Sequence, residues 1–336
     1  MAASPFDDFR ALLTNLPVAD EISIILAKKR QESLTRAGGA LGKLGDIAVW
    51  YAGWRDAEKP PIVKRPLVAI FSGNHGIIDE NITPFPQSMT QKMVKNSTAG
   101  GGVINQICQS YDLGLKIFDL ALEYPTMNIT KDAAMDEHGA AATMAFGMES
   151  IANGIDLLCI GEMGIGNATI ASALCLALFG GEAEDWIGNY VESDEEFYRR
   201  KITAIKTAVS LHKQHFNDPF EIMRRLGGRE VAAIIGAVLA ARMEKVPVVL
   251  DGFVATAAAA VLYKMHPRSL DHTLIGHVSP DPAHRKLLKM IGKEPLLDLE
   301  INFCEGVGAA VAAGVVKAAV LTHAQTITFE EEDLII

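Results

Sequence analysis

A handful of acids, glycines and histidines in this 336-residue chain stand where they could do chemistry. Glu305, in Asn302-Phe-Cys-Glu-Gly306, precedes a long apolar stretch rich in small residues. Two readings stand for it. It would favour a helix start through the dipole. Or, desolvated between Phe303 and Gly306-Val307, it would act as a general base with its pKa raised toward the working range. Glu162, Gly164 and Gly166 lie in Ile160-Gly-Glu-Met-Gly-Ile-Gly-Asn-Ala-Thr169. Glycines after a strand let the backbone approach a ligand, and the following helix offers free N–H groups to an anion. A plain tight turn has the same spacing. Glu162 within it suits a hydroxyl or N–H of a ribose or base. Asp251, in Leu250-Asp-Gly252, is an acid at a strand end, either a crevice residue or a helix N-cap. His272, His277 and His284 surround Gly276-His277-Val-Ser279-Pro-Asp281. Their spacing fits no standard ligand set and no Cys partners them, so no metal is expected.

The elements that must position these groups alternate. Leu67–Phe71, Leu115–Asp119, Asp156–Ile160, Val246–Leu250 and Leu274-Ile275 read as strands, several emptying into glycine-rich turns. Strands alternating with helices predict an α/β fold, a parallel Rossmann-like sheet with helices on both faces. Residues 5–55 read as helical, with Leu12, Leu13, Leu16, Ile22, Ile25 and Leu26 at helical spacing and Pro60-Pro61 ending the region. Ser88 to Cys108 reads as a helix interrupted by Gly100-Gly101-Gly102, after a stiff loop Asn81-Ile-Thr-Pro-Phe-Pro-Gln-Ser88. The acidic run Glu330–Asp333 reads as solvated.

A formal net charge of −10 argues against a nucleic-acid or anionic-membrane footprint, which needs a basic stripe. It leaves a phosphate ligand open, because helix N-termini bind phosphate locally. Cys108, Cys159, Cys175 and Cys304 are scattered without a CxxC pair and read as buried reduced thiols. The N-terminus shows no basic region followed by an apolar run, and the windows Val231–Ala241 and Gly306–Leu321 read as too short to span a bilayer. A cytoplasmic protein is expected.

From about residue 10 to 329 the chain resembles the nicotinate-nucleotide–dimethylbenzimidazole phosphoribosyltransferase (CobT) family. The segments that carry the resemblance are Phe71-Ser-Gly-Asn-His-Gly76, Phe85-Pro86 with Met93-Val-Lys-Asn96, Gly101-Gly-Val-Ile-Asn105 and Gly161-Glu-Met-Gly-Ile-Gly-Asn167. Asp218-Pro219 with Gly227-Gly228, Leu250-Asp-Gly252, Gly276-His-Val-Ser279 and Glu305-Gly306 continue it. Their order and spacing together are more specific than any one alone.

The resemblance implies a large α/β catalytic domain over residues 63–319 and a small helical domain from 1–62 with 320–336. It implies a homodimer, without metal or cofactor, whose substrates are nicotinate mononucleotide and a benzimidazole-type base. Glu305 would be the catalytic base, Thr83, Gln91 and Phe303 would bind the azole, and Glu162, Gly164, Gly166, Lys201, Asp251 and Ser279 would hold the nucleotide. The chain also departs from the family. Gly188-Asn-Tyr-Val-Glu192 replaces a Gly-Arg-Gly-Thr-Gly loop and brings a carboxylate near the expected phosphate. Phe303 replaces a Leu, and after Ser279 Pro280-Asp-Pro-Ala-His284 stands where the family usually has Glu-Pro-Gly-His. These changes motivate a second reading, binding without turnover. A third, a nicotinamide-dependent oxidoreductase, rests on the glycine-rich units alone and lacks a clear acidic partner at the next strand's end, where a ribose diol would be held.

Overall fold

Short aliphatic runs become strands covered on both sides. Among the described residues, β1 (Pro66–Ser72), β2 (Gly114–Asp119), β3 (Leu157–Met163), β4 (Val248–Asp251), β5 (Thr273–His277) and β6 (Pro295–Leu297) form one sheet in the order β2-β1-β3-β4-β5-β6. Every pairing is parallel. The computed structural model describes residues 4–34, 39–55, 59–151, 154–188, 195–303 and 305–328. Residues 189–192 of the altered loop, Cys304 and the acidic run Glu330–Asp333 lie outside the described residues.

Side chains alternate between two cores, as the two-residue repeat of a strand requires. Leu67, Ala69 and Phe71 enter one core, while Val68 and Ile70 enter the other; Leu158 and Ile160 oppose Leu157 and Cys159 in the same way. β1, β3 and β4 are buried at every residue, the signature of a parallel sheet sandwiched by helices.

The helices are α1 (Asp7–Thr14), α2 (Glu21–Leu34), α3 (Lys43–Gly53), α4 (Ser88–Thr98), α5 (Val103–Tyr111), α6 (Glu137–Glu149) and α7 (Asn167–Phe179). They continue with α8 (Glu195–His212), α9 (Pro219–Leu226), α10 (Arg229–Met243), α11 (Gly252–Met265), α12 (Pro282–Met290) and α13 (Val307–Gln325). The first core takes residues from α1 and from α6 to α12, the second from α3, α5 and α13.

The N-terminal helices divide between two places. α1 joins the first core, where Phe6 meets the Phe220 ring at 5.5 Å and Arg10 pairs with Asp218. α2 instead fastens the far end of α13: Arg30 donates to the carbonyls of His323 and Thr326 at 2.7 and 2.8 Å. Those carbonyls belong to the last turn of α13 and just beyond it, where a cation is favoured.

Two expectations change. β3 runs on through Gly161-Glu162-Met163, because Ile70, Phe71 and Ser72 of β1 pair with them; the turn begins only at Gly164. α13 is longer than the Gly306–Leu321 stretch suggests. Its 19 residues are long and apolar enough to cross a membrane by length and composition alone. Here Ala309, Ala312, Ala313 and Val316 bury that apolar character against the sheet.

Candidate active site

The strand order 2-1-3-4-5 is the flavodoxin-like version of a doubly wound sheet, with its switch point between β1 and β3. Ligands in such folds bind outside the carboxyl ends of the strands at that point. A cavity of about 380 Å³ opens at that carboxyl edge, beside the switch point and over β3, β4 and β5, within the usual range of small-molecule sites. It gathers residues following β3, β4 and β5, the first turn of α7, Lys201 from α8, and the loop before α13.

Glu305 lines this cavity and is only 4% exposed. Its backbone is left-handed at φ 72°, as is Gly306 at φ 79°. A non-glycine residue in that region marks local strain, which clusters at working sites. The chain makes this bend to pass over β3. Glu305 N donates to the Glu162 carbonyl at 3.1 Å, and a Cβ on Gly161 would collide with the Gly306 backbone. Gly161 therefore serves the approach of one backbone to another, not only the approach of a ligand. Burial alone pushes the Glu305 carboxyl up to about 7.

Asp251 resolves its two sequence readings in an unexpected way. It is the residue before α11, yet its side chain makes no bond to that helix. Its carboxylate accepts from Ala309 N at 3.1 Å, so it caps α13, the helix behind Glu305. Gly308 lets the two approach, since a Cβ there would meet Asp251 and lie 2.5 Å from the His277 Cβ. Burial pushes Asp251 up to about 7 against the opposing pull of these backbone N–H groups.

Glu162, 2% exposed, is not among the cavity-lining residues; it accepts from the Asn167 side chain, which is. Gly164 lines the cavity. Gly166 starts α7 at φ 94° and turns toward Ile78 instead. Asn167, Ala168 and Thr169 bring the positive end of the α7 dipole to the cavity. Lys201 lines it too; burial lowers its pKa while Asp281 pulls the other way.

Ser279 lines the cavity with a fixed backbone. Its N–H donates to His284 Nδ1 at 3.1 Å, and its hydroxyl lies 3.2 Å from the same nitrogen. His284 Nε2 therefore carries the proton and faces Thr256 Oγ1 at 3.1 Å. Burial lowers His284 to about 3, so it stays neutral. His277 Nε2 accepts from Leu299 N and Ile301 N at 3.0 and 3.3 Å, which anchors the segment leading to Phe303. His272 is buried, with Nε2 3.0 Å from the Val238 carbonyl. The histidines are thus structural pins, and no metal-holding group of acids, His and Cys occurs among the described residues.

Of the azole-pocket expectations, Phe303 lines the cavity while Thr83 and Gln91 do not. Thr83 Oγ1 accepts from Phe85 N at 3.3 Å, and Phe85 and Met93, each two residues further on, line the wall instead. Asp281 was also missed. It caps α12 through Ala283 N at 2.8 Å and reaches the cavity beside Lys201. The Asp-Pro pair that caps this helix was a readable N-terminal signal; the apolar character of Phe85 and Met93 distinguished them from nothing.

A cavity joining an anion-receptive helix start to a buried proton acceptor suits transfer of a phosphorylated group. Comparison with known proteins agrees at that level: a family model described as a phosphoribosyltransferase matches residues 16–333. The chain is 59% identical over 333 residues to the nicotinate-nucleotide–dimethylbenzimidazole phosphoribosyltransferase of Brucella abortus (strain S19), covering 98% of each. The protein of the same name from Sinorhizobium medicae (strain WSM419) is 58% identical over the same share of each. A solved nicotinate-nucleotide–dimethylbenzimidazole phosphoribosyltransferase from Thermus thermophilus superposes with a TM-score of 0.85 at 33% identity, over 94% of this chain and 99% of that one. The chain belongs to the nicotinate-nucleotide–dimethylbenzimidazole phosphoribosyltransferase family.

Proposed function

We propose that this chain transfers the phosphoribosyl group of nicotinate mononucleotide to 5,6-dimethylbenzimidazole, giving α-ribazole 5′-phosphate and nicotinate, in making the lower ligand of cobalamin. The observation that carries this reading is the buried carboxylate of Glu305 in one cavity with Lys201 and the first turn of α7.

Glu305 takes the azole N–H proton as the other ring nitrogen attacks C1′ of the ribose. The C1′–N bond to nicotinate breaks, and its electron pair returns to the pyridinium nitrogen, so the leaving group needs little acid help. Removing the azole proton during attack avoids a second positive charge on the nucleophile. Inversion at C1′ follows from attack opposite the leaving group. Positioning and charge placement supply the rest of the acceleration. Lys201 and the α7 N–H groups would meet the phosphate. Gly164, Gly166, Asp251 and Ser279 would frame the nucleotide, with Glu162 acting through Asn167. Phe303, with Phe85 and Met93, would wall the azole. Thr83 and Gln91 belong to the same proposed set through the loop and helix they share with those side chains.

A homodimer, a cytoplasmic location and a helical unit of 1–62 with 320–336 belong to this proposal. Support for the dimer is an exposed apolar face on α2, with Ile22 69% and Ile25 64% exposed. The test of function is to mix purified chain with nicotinate mononucleotide and dimethylbenzimidazole and follow both products by NMR. Equimolar nicotinate and α-ribazole 5′-phosphate are expected. Nicotinate release without ribazole, or no turnover with several azoles, rejects the reading.

A further inference from the structure

The end of β1 holds a buried contact that the transfer chemistry does not use. His75 and Glu230 are each 0% exposed, and His75 Nε2 lies 3.0 Å from Glu230 Oε1. Glu230 stands in the first turn of α10, where the helix dipole favours a carboxylate. Among the described residues, no aligned hydrogen bond reaches either ring nitrogen or either carboxylate oxygen, so this close approach is the one polar contact each group has. Each side chain therefore depends on the other, because removing one leaves its partner buried without a counterpart.

Three glycines from three elements wall the pair. Gly73, just after β1, faces Glu230 so closely that a Cβ would collide with the carboxylate. Gly228, just before α10, faces both, and a Cβ there would lie 2.6 Å from Glu230 Oε2. Gly164, just after β3, rests on the other side: its Cβ would lie 2.5 Å from the Gly73 carbonyl and 3.5 Å from His75 Nε2. Of these three, Gly164 also lines the cavity. The pair therefore supports the β3–α7 turn from behind. Thr90 fastens the same turn by accepting from Ile165 N at 3.1 Å, and Gln87 fastens His75 by donating to its carbonyl at 3.1 Å.

We propose that His75 and Glu230 are positioning residues that set the β3–α7 turn against the bound nucleotide. The inference rests on the reading that this turn holds nicotinate mononucleotide. A collapse of the pair shifts Gly164 and the first turn of α7, whereas Phe303 sits on the separate loop before α13. The loss should therefore fall on one substrate only.

Calorimetric titration with nicotinate mononucleotide, together with KM for each substrate, tests this on Glu230→Gln, His75→Gln and the double variant. In each single variant nucleotide affinity should fall about tenfold, with kcat at saturating nucleotide and the azole KM within about twofold of wild type. The double variant should bind no worse than the weaker single, because the two act as one unit. Wild-type nucleotide affinity in a folded Glu230→Gln or His75→Gln overturns the proposal. Equal loss for both substrates overturns it too, as does a failure of both single variants to fold, which would mark a purely structural pair. If wild type itself does not bind nicotinate mononucleotide, the functional reading falls, and that shows in the first titration before any variant is made.

Discussion

Burial without relief separates Glu305 from the other acids of the cavity. Asp251 receives backbone N–H groups, and Asp281 has Ala283 N and Lys201, while burial is the one influence that shifts Glu305. A base is active when deprotonated, so a carboxyl raised from 4.5 to about 7 moves the acid limb of kcat/KM to near pH 7. A pH–rate profile should show that limb, and Asp251→Asn should leave it in place; a limb at pH 4–5 would contradict the assignment. The same shift costs stability. The folded state holds the Glu305 proton more tightly than the unfolded chain, so stability falls as pH rises from 4.5 to about 7 and stays lower above. Glu305→Gln removes that loss, worth up to about 3 kcal/mol. Thermal melts should show the variant gaining on wild type at pH 8 and not at pH 4. Equal differences at both pH values would contradict this. Glu305 was legible as a candidate because an acid beside apolar residues before a small-residue helix is unusual. Its strain was not, since φ depends on a contact with residue 161.

At the scale of elements, the decisive contact is α13 and its leading loop crossing β3. Gly161→Ala should displace Glu305 and Gly306 from that crossing. Overpacking of this kind costs about 1–3 kcal/mol. It should also lower kcat at least about tenfold, because the base moves off line. Urea denaturation and steady-state kinetics on one preparation check both, and an unchanged kcat would show the loop position to be unimportant. Strands β1 to β5 were readable from apolar runs between glycine and proline. Three-residue β6 at the sheet edge was not, because so short a run has no period. The end of β3 was misplaced for a related reason. Gly161 and Glu162 have turn-like identities, and only pairing with Ile70 and Phe71 makes them strand. Within the site, Phe85 and Met93 line the cavity from the same loop and helix that carry Thr83 and Gln91, which side-chain type alone does not announce.

At the scale of the molecule, the cavity lies at the carboxyl ends of β3, β4 and β5, on the ligand-binding edge of a doubly wound sheet. Alternating strands and helices announced the fold class. They could not announce the order, which depends on crossovers between distant segments. That order, with the family match, removes the support the glycine pattern lent to an oxidoreductase. Relatives 59% and 58% identical over nearly the whole chain carry the transferase name, which does not favour binding without turnover. An exposed Ile22 and Ile25 on α2 predict self-association. Light scattering should report a dimer for wild type and a monomer for Ile22→Asp with Ile25→Asp, and a wild-type monomer would refute it. The central claim is proton removal by Glu305, and single-turnover formation of α-ribazole 5′-phosphate at saturating substrates and pH 8 tests it most directly. Glu305→Gln should slow that step by about 10²–10⁴-fold while binding nicotinate mononucleotide as wild type does; a variant that turns over at the wild-type rate would contradict the account.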